Sequence, residues 1–136
     1  MKKLNFVLIT TIIFLSLLFT SCIRQTIHRD MSFFENYTYE DVWLASVQAV
    51  NDIGFTIDNM DKTSGFIAAE SGTHIGQEVP PRISIMISEF KGRIYVDCKV
   101  LQKEQFIDIF GHGKRIYRNF MVALNLNLHD YLQTGS

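Results

Sequence analysis

The chain has 136 residues, 47% of them hydrophobic, with 13 basic and 14 acidic side chains for a formal net charge of −1. That length allows one domain with a sizeable core. The near-neutral balance excludes the basic footprint of a nucleic-acid-binding protein.

The first segment is set apart by its composition. Lys2 and Lys3 give a positive start, and Leu4 to Phe19 contains no charged residue. Thr20 and Ser21, both small, precede Cys22. A positive start, an apolar core and small residues at a cleavage point form the pattern of a secretion signal. Such an apolar helix partitions into the bilayer while its lysines stay on the cytoplasmic side. The stretch Leu18-Phe19-Thr20-Ser21-Cys22 resembles the lipobox of bacterial lipoproteins, with Phe19 where leucine is commonest. The resemblance implies a diacylglycerol on the Cys22 thiol, cleavage just before it, and further acylation (palmitate or similar) of the new amino group. The competing readings are an uncleaved anchor and an ordinary signal followed by a chance cysteine. The apolar run of 16 residues, Leu4 to Phe19, is short against the roughly 20 that span a bilayer.

On this reading residues 1–21 are a signal peptide, 22–35 are the lipidated cysteine and its tether, and 36–136 are one α+β domain. Lys2 and Lys3 leave with the signal, so 11 basic and 14 acidic side chains remain. No polybasic cluster assists membrane binding, and attachment rests on the acyl chains. With Cys22 carrying lipid, Cys98 has no intramolecular partner. Its alternating apolar surroundings mark it as a core residue.

Within the mature chain, Arg24 to Asp30 reads as tether, and Met31, Phe33 and Phe34 as the possible start of a strand. The first helix is predicted over Tyr39 to Ile53. Thr38 is its N-cap with Asp41 completing a capping box, Tyr37 and Val42 can form a hydrophobic staple, and Gly54 ends it in a left-handed conformation. Its apolar stripe carries Trp43, Val47 and Val50. Strands are expected at Phe55 to Asp58 and Phe66 to Glu70, joined by the turn Asp61 to Gly65, with their register undecided. Ser71 to Pro81 is a loop.

The clearest element is a hairpin. Ile83, Ile85 and Ile87 alternate on one strand, and Ile94, Val96, Cys98 and Val100 on the next. A two-residue turn at Lys91-Gly92 pairs Ile87 with Val96, Ile85 with Cys98 and Ile83 with Val100, which places every apolar residue on one face. The other face, with Ser84, Met86, Ser88, Asp97 and Lys99, reads as solvated. Phe106 to Phe110 is a further candidate strand, and Gly111-His112-Gly113 breaks the pattern. From Lys114 on, Ile116, Phe120, Ala123, Leu124, Leu128 and Tyr131 follow helical spacing. Val122, Leu124, Leu126 and Leu128 also alternate as a strand would, and length favours the helix. The expected fold is an α+β two-layer sandwich: an antiparallel sheet of about four strands, with two helices on its buried face.

Tyr39-Glu40-Asp41-Val42-Trp43, Ile53-Gly54-Phe55 and Asp61-Lys62-Thr63-Ser64-Gly65-Phe66-Ile67 together resemble a pattern of small bacterial envelope lipoproteins of uncharacterised type. The outline is similar to the helix-grip domains of the barrel-assembly machinery's C-component lipoprotein. The resemblance implies a helix-grip-like fold and an envelope location. It brings no catalytic residue with it.

No residue set points to catalysis, a metal or a cofactor, and the expectation is a protein that is not an enzyme. Ser64, Ser71, Ser84 and Ser88 lack a nucleophile-elbow context. His28, His74, His112 and His129 have no zinc-ligand spacing. His74 and His112 could converge with Glu78 or Asp108, against the simpler reading of solvated loop histidines. Asp52, Asp58 and Asp61 lack the spacing of a calcium loop, and helix-end and turn roles account for them. Arg82, Lys91, Arg93, Lys99 and Lys103 place positive charge along the hairpin. The sequence therefore favours a module that is tethered to the membrane through Cys22 and engages another envelope protein. The alternative is a small-ligand carrier or sensor with a pocket lined by Trp43, Phe55, Phe66 and Phe120. Ile23, not aspartate, follows the lipidated cysteine, which favours the periplasmic face of the outer membrane in an organism with two membranes.

Overall fold

The computed structural model describes residues 24–72, 80–103 and 111–134. Its elements in chain order are β1 (Arg24–Phe34), α1 (Tyr39–Asp52), β2 (Phe55–Asp61), β3 (Phe66–Ser71), β4 (Arg82–Phe90), β5 (Arg93–Lys103) and α2 (His112–Thr134). The five strands form one sheet in the order β1-β5-β4-β3-β2, with every neighbouring pair antiparallel. One core joins the helices to a single face of the sheet. It contains Val42, Trp43, Ala49 and Val50 of α1, Phe120, Leu124 and Leu128 of α2, and the inward rows of β3, β4 and β5.

Each element has a local cause. Asp41 N–H donates to Thr38 Oγ1 at 3.2 Å, and Thr38 N–H donates back to Asp41 Oδ2 at 2.9 Å. This capping box satisfies donors that the first turn of a helix leaves free. At the other end Ile53 is the C-cap, and Gly54 takes φ +79°. The β4–β5 hairpin turns through Lys91 and Gly92, both with positive φ, at 53° and 74°. Two positive values in succession match the right-handed twist of the strands that the turn joins. The ladder pairs Ile87 with Val96, Ile85 with Cys98 and Ile83 with Val100, as the alternation predicts. Cys98 is fully buried.

The structure departs from expectation in the number of strands and at one end of each helix, and it gives the register that the sequence left open. The sheet has five strands, not about four. The extra strand is β1, which begins at Arg24, so Arg24 to Asp30 is sheet and not tether. Its inward positions His28, Asp30 and Ser32 lie opposite Val100, Cys98 and Val96. A polar inward row hides the strand from any reading based on apolar alternation.

The undecided β2–β3 register is Phe55 opposite Ser71 and Ile57 opposite Ala69, then Asn59 opposite Ala68 after a bulge at Asp58. Ile67 and Ala69 face the core, and Phe66 faces the open side. The first helix ends at Asp52, one residue early. The last starts at His112, two residues before its first expected position, and Val122 and Leu126 lie on its exposed side. The candidate strand at 106–110 lies outside the described residues, as do the signal segment, Cys22, His74 and Glu78.

Candidate functional site

Among the described residues both helices pack on one face of the sheet, and the face away from them is divided. Near the starts of β1 and β4 it is polar and ion-paired. Arg29 reaches Asp97 with two hydrogen bonds, 3.0 Å to Oδ1 and 2.7 Å to Oδ2. Arg82 meets Asp58 at 2.8 Å and Glu70 at 3.2 Å.

Toward the β4–β5 turn the same face becomes apolar. Met31 stands opposite Asp97, Asp97 opposite Met86, and Met86 opposite Phe66. Phe33 stands opposite Tyr95, with ring centroids 6.3 Å apart. Phe90 is 60% exposed and Phe33 56%, and Met31 and Met86 are exposed beside them. The Arg93 guanidinium lies 5.3 Å from the Phe33 ring, and the Lys91 ammonium 5.2 Å from the Phe90 ring. Scattered exposed apolar side chains are ordinary, but four large ones on one open strand face, with Asp97 between Met31 and Met86 and Tyr95 beside Phe33, are a candidate contact surface. The expectation of a solvated face holds, with Met86 and Ser88 exposed on it, and β1 adds Met31 and Phe33 to the same face. Periodicity shows which residues share a strand face. It does not show that Met31 and Phe33 of β1 come onto the same open face as Met86 and Phe90 of β4.

A second feature lies between β1 and α2. A cleft of about 330 Å³ is lined by His28, Asp30, Ser32, Lys114, Tyr117, Arg118 and Met121, among others. Ser32 Oγ and the Tyr117 hydroxyl are 3.0 Å apart, and the His28 and Tyr117 rings are tilted at 5.1 Å. Burial, with Asp30 nearby, raises the Tyr117 phenol above its ordinary pKa. His28 Nε2 is buried with no hydrogen-bond partner among the described residues. A buried polar atom without a partner is uncommon and calls for a reason. Sequence reading missed this cleft because it took His28 and Asp30 as tether.

Other residues singled out by sequence have the following places in the structure. Trp43, Phe55 and Phe120 belong to the packed core, and Phe66 lies on the opposite face, so the four do not line one pocket. Asp52 Oδ2 accepts from Asn127 Nδ2 at 2.9 Å, and Asp61 Oδ1 accepts from Thr63 N–H at 2.9 Å. Ser64 Oγ donates to the Asp61 carbonyl. His112 Nδ1 lies 2.6 Å from the Arg115 guanidinium. Arg93 pairs with Glu35 at 2.6 Å. Among the described residues no group of three or more His, Cys, Asp or Glu is placed to hold a metal ion. No described helix is long and apolar enough to cross a membrane.

No family model matches the chain, and no curated protein does. Among solved structures, an uncharacterised protein from Bacillus thuringiensis is 10% identical and aligns over 77% of this chain and 99% of its own, with a TM-score of 0.51. A TBP-like protein from Parabacteroides distasonis is 14% identical over 78% of this chain and 91% of its own, with a TM-score of 0.34. A family protein of unknown function from Bacteroides ovatus is 12% identical over 72% of this chain and 80% of its own, with a TM-score of 0.34. The first of these likenesses supports the α+β fold and extends no further.

Proposed function

We propose that the chain is a lipid-anchored envelope protein, without catalytic activity, that docks another envelope protein through the apolar half of its open sheet face. The Leu18 to Cys22 motif supports lipidation on Cys22 and an envelope location, with the periplasmic face of the outer membrane favoured by Ile23. The observation that carries the docking reading is the exposed group Met31, Phe33, Met86 and Phe90 on a face that neither described helix covers. The partner fitted to it presents exposed apolar side chains of its own. A photo-crosslinking residue at Phe33, in intact cells, should yield a reproducible protein adduct that the same residue at Gln48, exposed on α1, does not. Equal background at both positions would count decisively against the proposal.

A small-ligand role is the second reading, and the cleft at His28 and Tyr117 favours it. It differs from the pocket expected from sequence, which lay between Trp43, Phe55, Phe66 and Phe120. Its test is a small-molecule screen read by the histidine resonances of the purified domain. Binders that shift His129 as much as His28, or no binders at all, would reject it.

A further inference from the structure

We infer that the end of the sheet where β1 begins rests directly on the lipid surface, so that the apolar docking patch is held at the far end, away from the membrane. The inference depends on the proposed lipidation of Cys22. Its first support is chain length. Ile23 alone separates Cys22 from Arg24, the first residue of β1. Two residue steps reach at most roughly 7 Å, which leaves no tether. Arg24 is already paired with Lys103 of β5, so the anchor leads straight into a hydrogen-bonded ladder.

Pairing register shows what shares that end. Thr26, Leu101, Arg82, Glu70 and Thr56 stand opposite one another in succession through the β1–β5, β5–β4, β4–β3 and β3–β2 ladders, and Phe55 and Ser71, paired with each other, lie one residue nearer that end. The start of α2 is there as well. A Cβ on Gly113 would come within 2.9 Å of Ile27 Cγ1, so the first turn of α2 is pressed against β1.

Charge is the second support. The first turn of α2 holds no acidic residue, and it carries Lys114 and Arg115, both exposed and neither in an ion pair among the described residues. The helix dipole disfavours cations at an N-terminus. In α1, by contrast, Glu40 and Asp41 occupy the favoured place. Cations set against a dipole are suited to an anionic partner outside the protein, and a headgroup layer beside the anchor supplies one. At the strand rise, Phe33 lies roughly 30 Å along β1 from Arg24. The same ladder that holds one end at the lipid therefore carries the docking patch outward.

The test uses the full chain in its native membrane, with acyl incorporation at Cys22 measured on the same samples. A fluorophore is placed at Gly72→Cys, beside the β1-start end, or at Thr63→Cys in the β2–β3 turn. Quenching by headgroup-labelled lipid is then compared. Quenching several-fold stronger at position 72 than at 63 supports the inference. So does loss of that difference when a flexible ten-residue segment is inserted between Ile23 and Arg24. Equal quenching at the two positions in an acylated protein overturns the inference and leaves the lipoprotein reading standing. Absence of acylation overturns both. Lys114→Glu with Arg115→Glu should reduce quenching at position 72 in anionic membranes, and no change would remove the charge argument.

Discussion

The Tyr117 hydroxyl and Ser32 Oγ lie 3.0 Å apart and tie the last helix to the edge strand. β1 has a polar inward row, so this bond helps to replace the apolar contact that such a strand usually makes. Tyr117→Phe and Ser32→Ala should each cost about 0.5–1.5 kcal/mol in urea unfolding, and the double variant should cost less than their sum. Strict additivity would show that the two side chains do not interact.

Gly65 sits at φ +74° with the Ile87 carbonyl directly where a Cβ would go. Its own carbonyl accepts from Ile87 N–H at 2.8 Å, so the backbone cannot move aside freely. Gly65→Ala should destabilise the domain by at least about 2 kcal/mol, through left-handed strain and the clash together. Gly54 has φ +79° and open space around it, so Gly54→Ala should cost only about 1 kcal/mol. Equal midpoints in denaturant would contradict the close approach at Gly65.

The capping box makes stability depend on acid. Hydrogen bonds from the Thr38 side chain and backbone hold the Asp41 carboxyl below its ordinary pKa. A lowered folded pKa gives stability that is present above about pH 4 and is lost as pH falls through the folded value. Thr38→Ala should cost roughly 0.5–2 kcal/mol at neutral pH. It should also shrink the fall in stability seen between about pH 4 and pH 2. A fall of the same size in both proteins would show that Asp41 takes no part in it.

Cys98 tests the core from the alkaline side. Burial first, and Asp97 second, push its thiol up to about 12. The unfolded chain ionises near pH 8.5, so this stabilising contribution is complete below that pH and is lost as pH rises toward 12. In the native protein at neutral pH Cys98 should resist an aqueous thiol reagent, and it should react fully once the protein is unfolded. Prompt labelling of the folded protein would place the thiol outside the core.

The docking patch predicts a separation of stability from binding. Phe33 is exposed and its main contacts are Tyr95 and Arg93. Phe33→Ser should therefore cost no more than about 1 kcal/mol, while the crosslinked adduct recovered through neighbouring Met31 or Phe90 falls away. A large loss of stability with the adduct unchanged would reverse the assignment of this face.

Much of the α+β fold was legible because local chemistry and packing agree there. Thr38 and Asp41 announce the start of α1. Lys91-Gly92 between two alternating runs sets the β4–β5 register, since a one-residue slip would turn Ile83, Ile85 and Ile87 into solvent. Phe120, Leu124 and Leu128 show the inward side of α2. β1 was not legible, because His28, Asp30 and Ser32 occupy inward positions that usually carry apolar side chains. The β2–β3 register was hidden for another reason: Phe66 and Ile67 are both apolar and point to opposite faces, and the bulge at Asp58 shifts the count.

The sequence by itself determined one hairpin register, both helices and the buried place of Cys98, since each follows from periodicity and end signals within a short stretch of chain. Only the tertiary structure decided which outward residues meet. Met31 and Phe33 come onto the same face as the distant Met86 and Phe90 because β5 pairs with both β1 and β4. Tyr117 finds Ser32 because α2 crosses the β1 edge. Contacts between distant segments depend on strand order, which local periodicity does not encode.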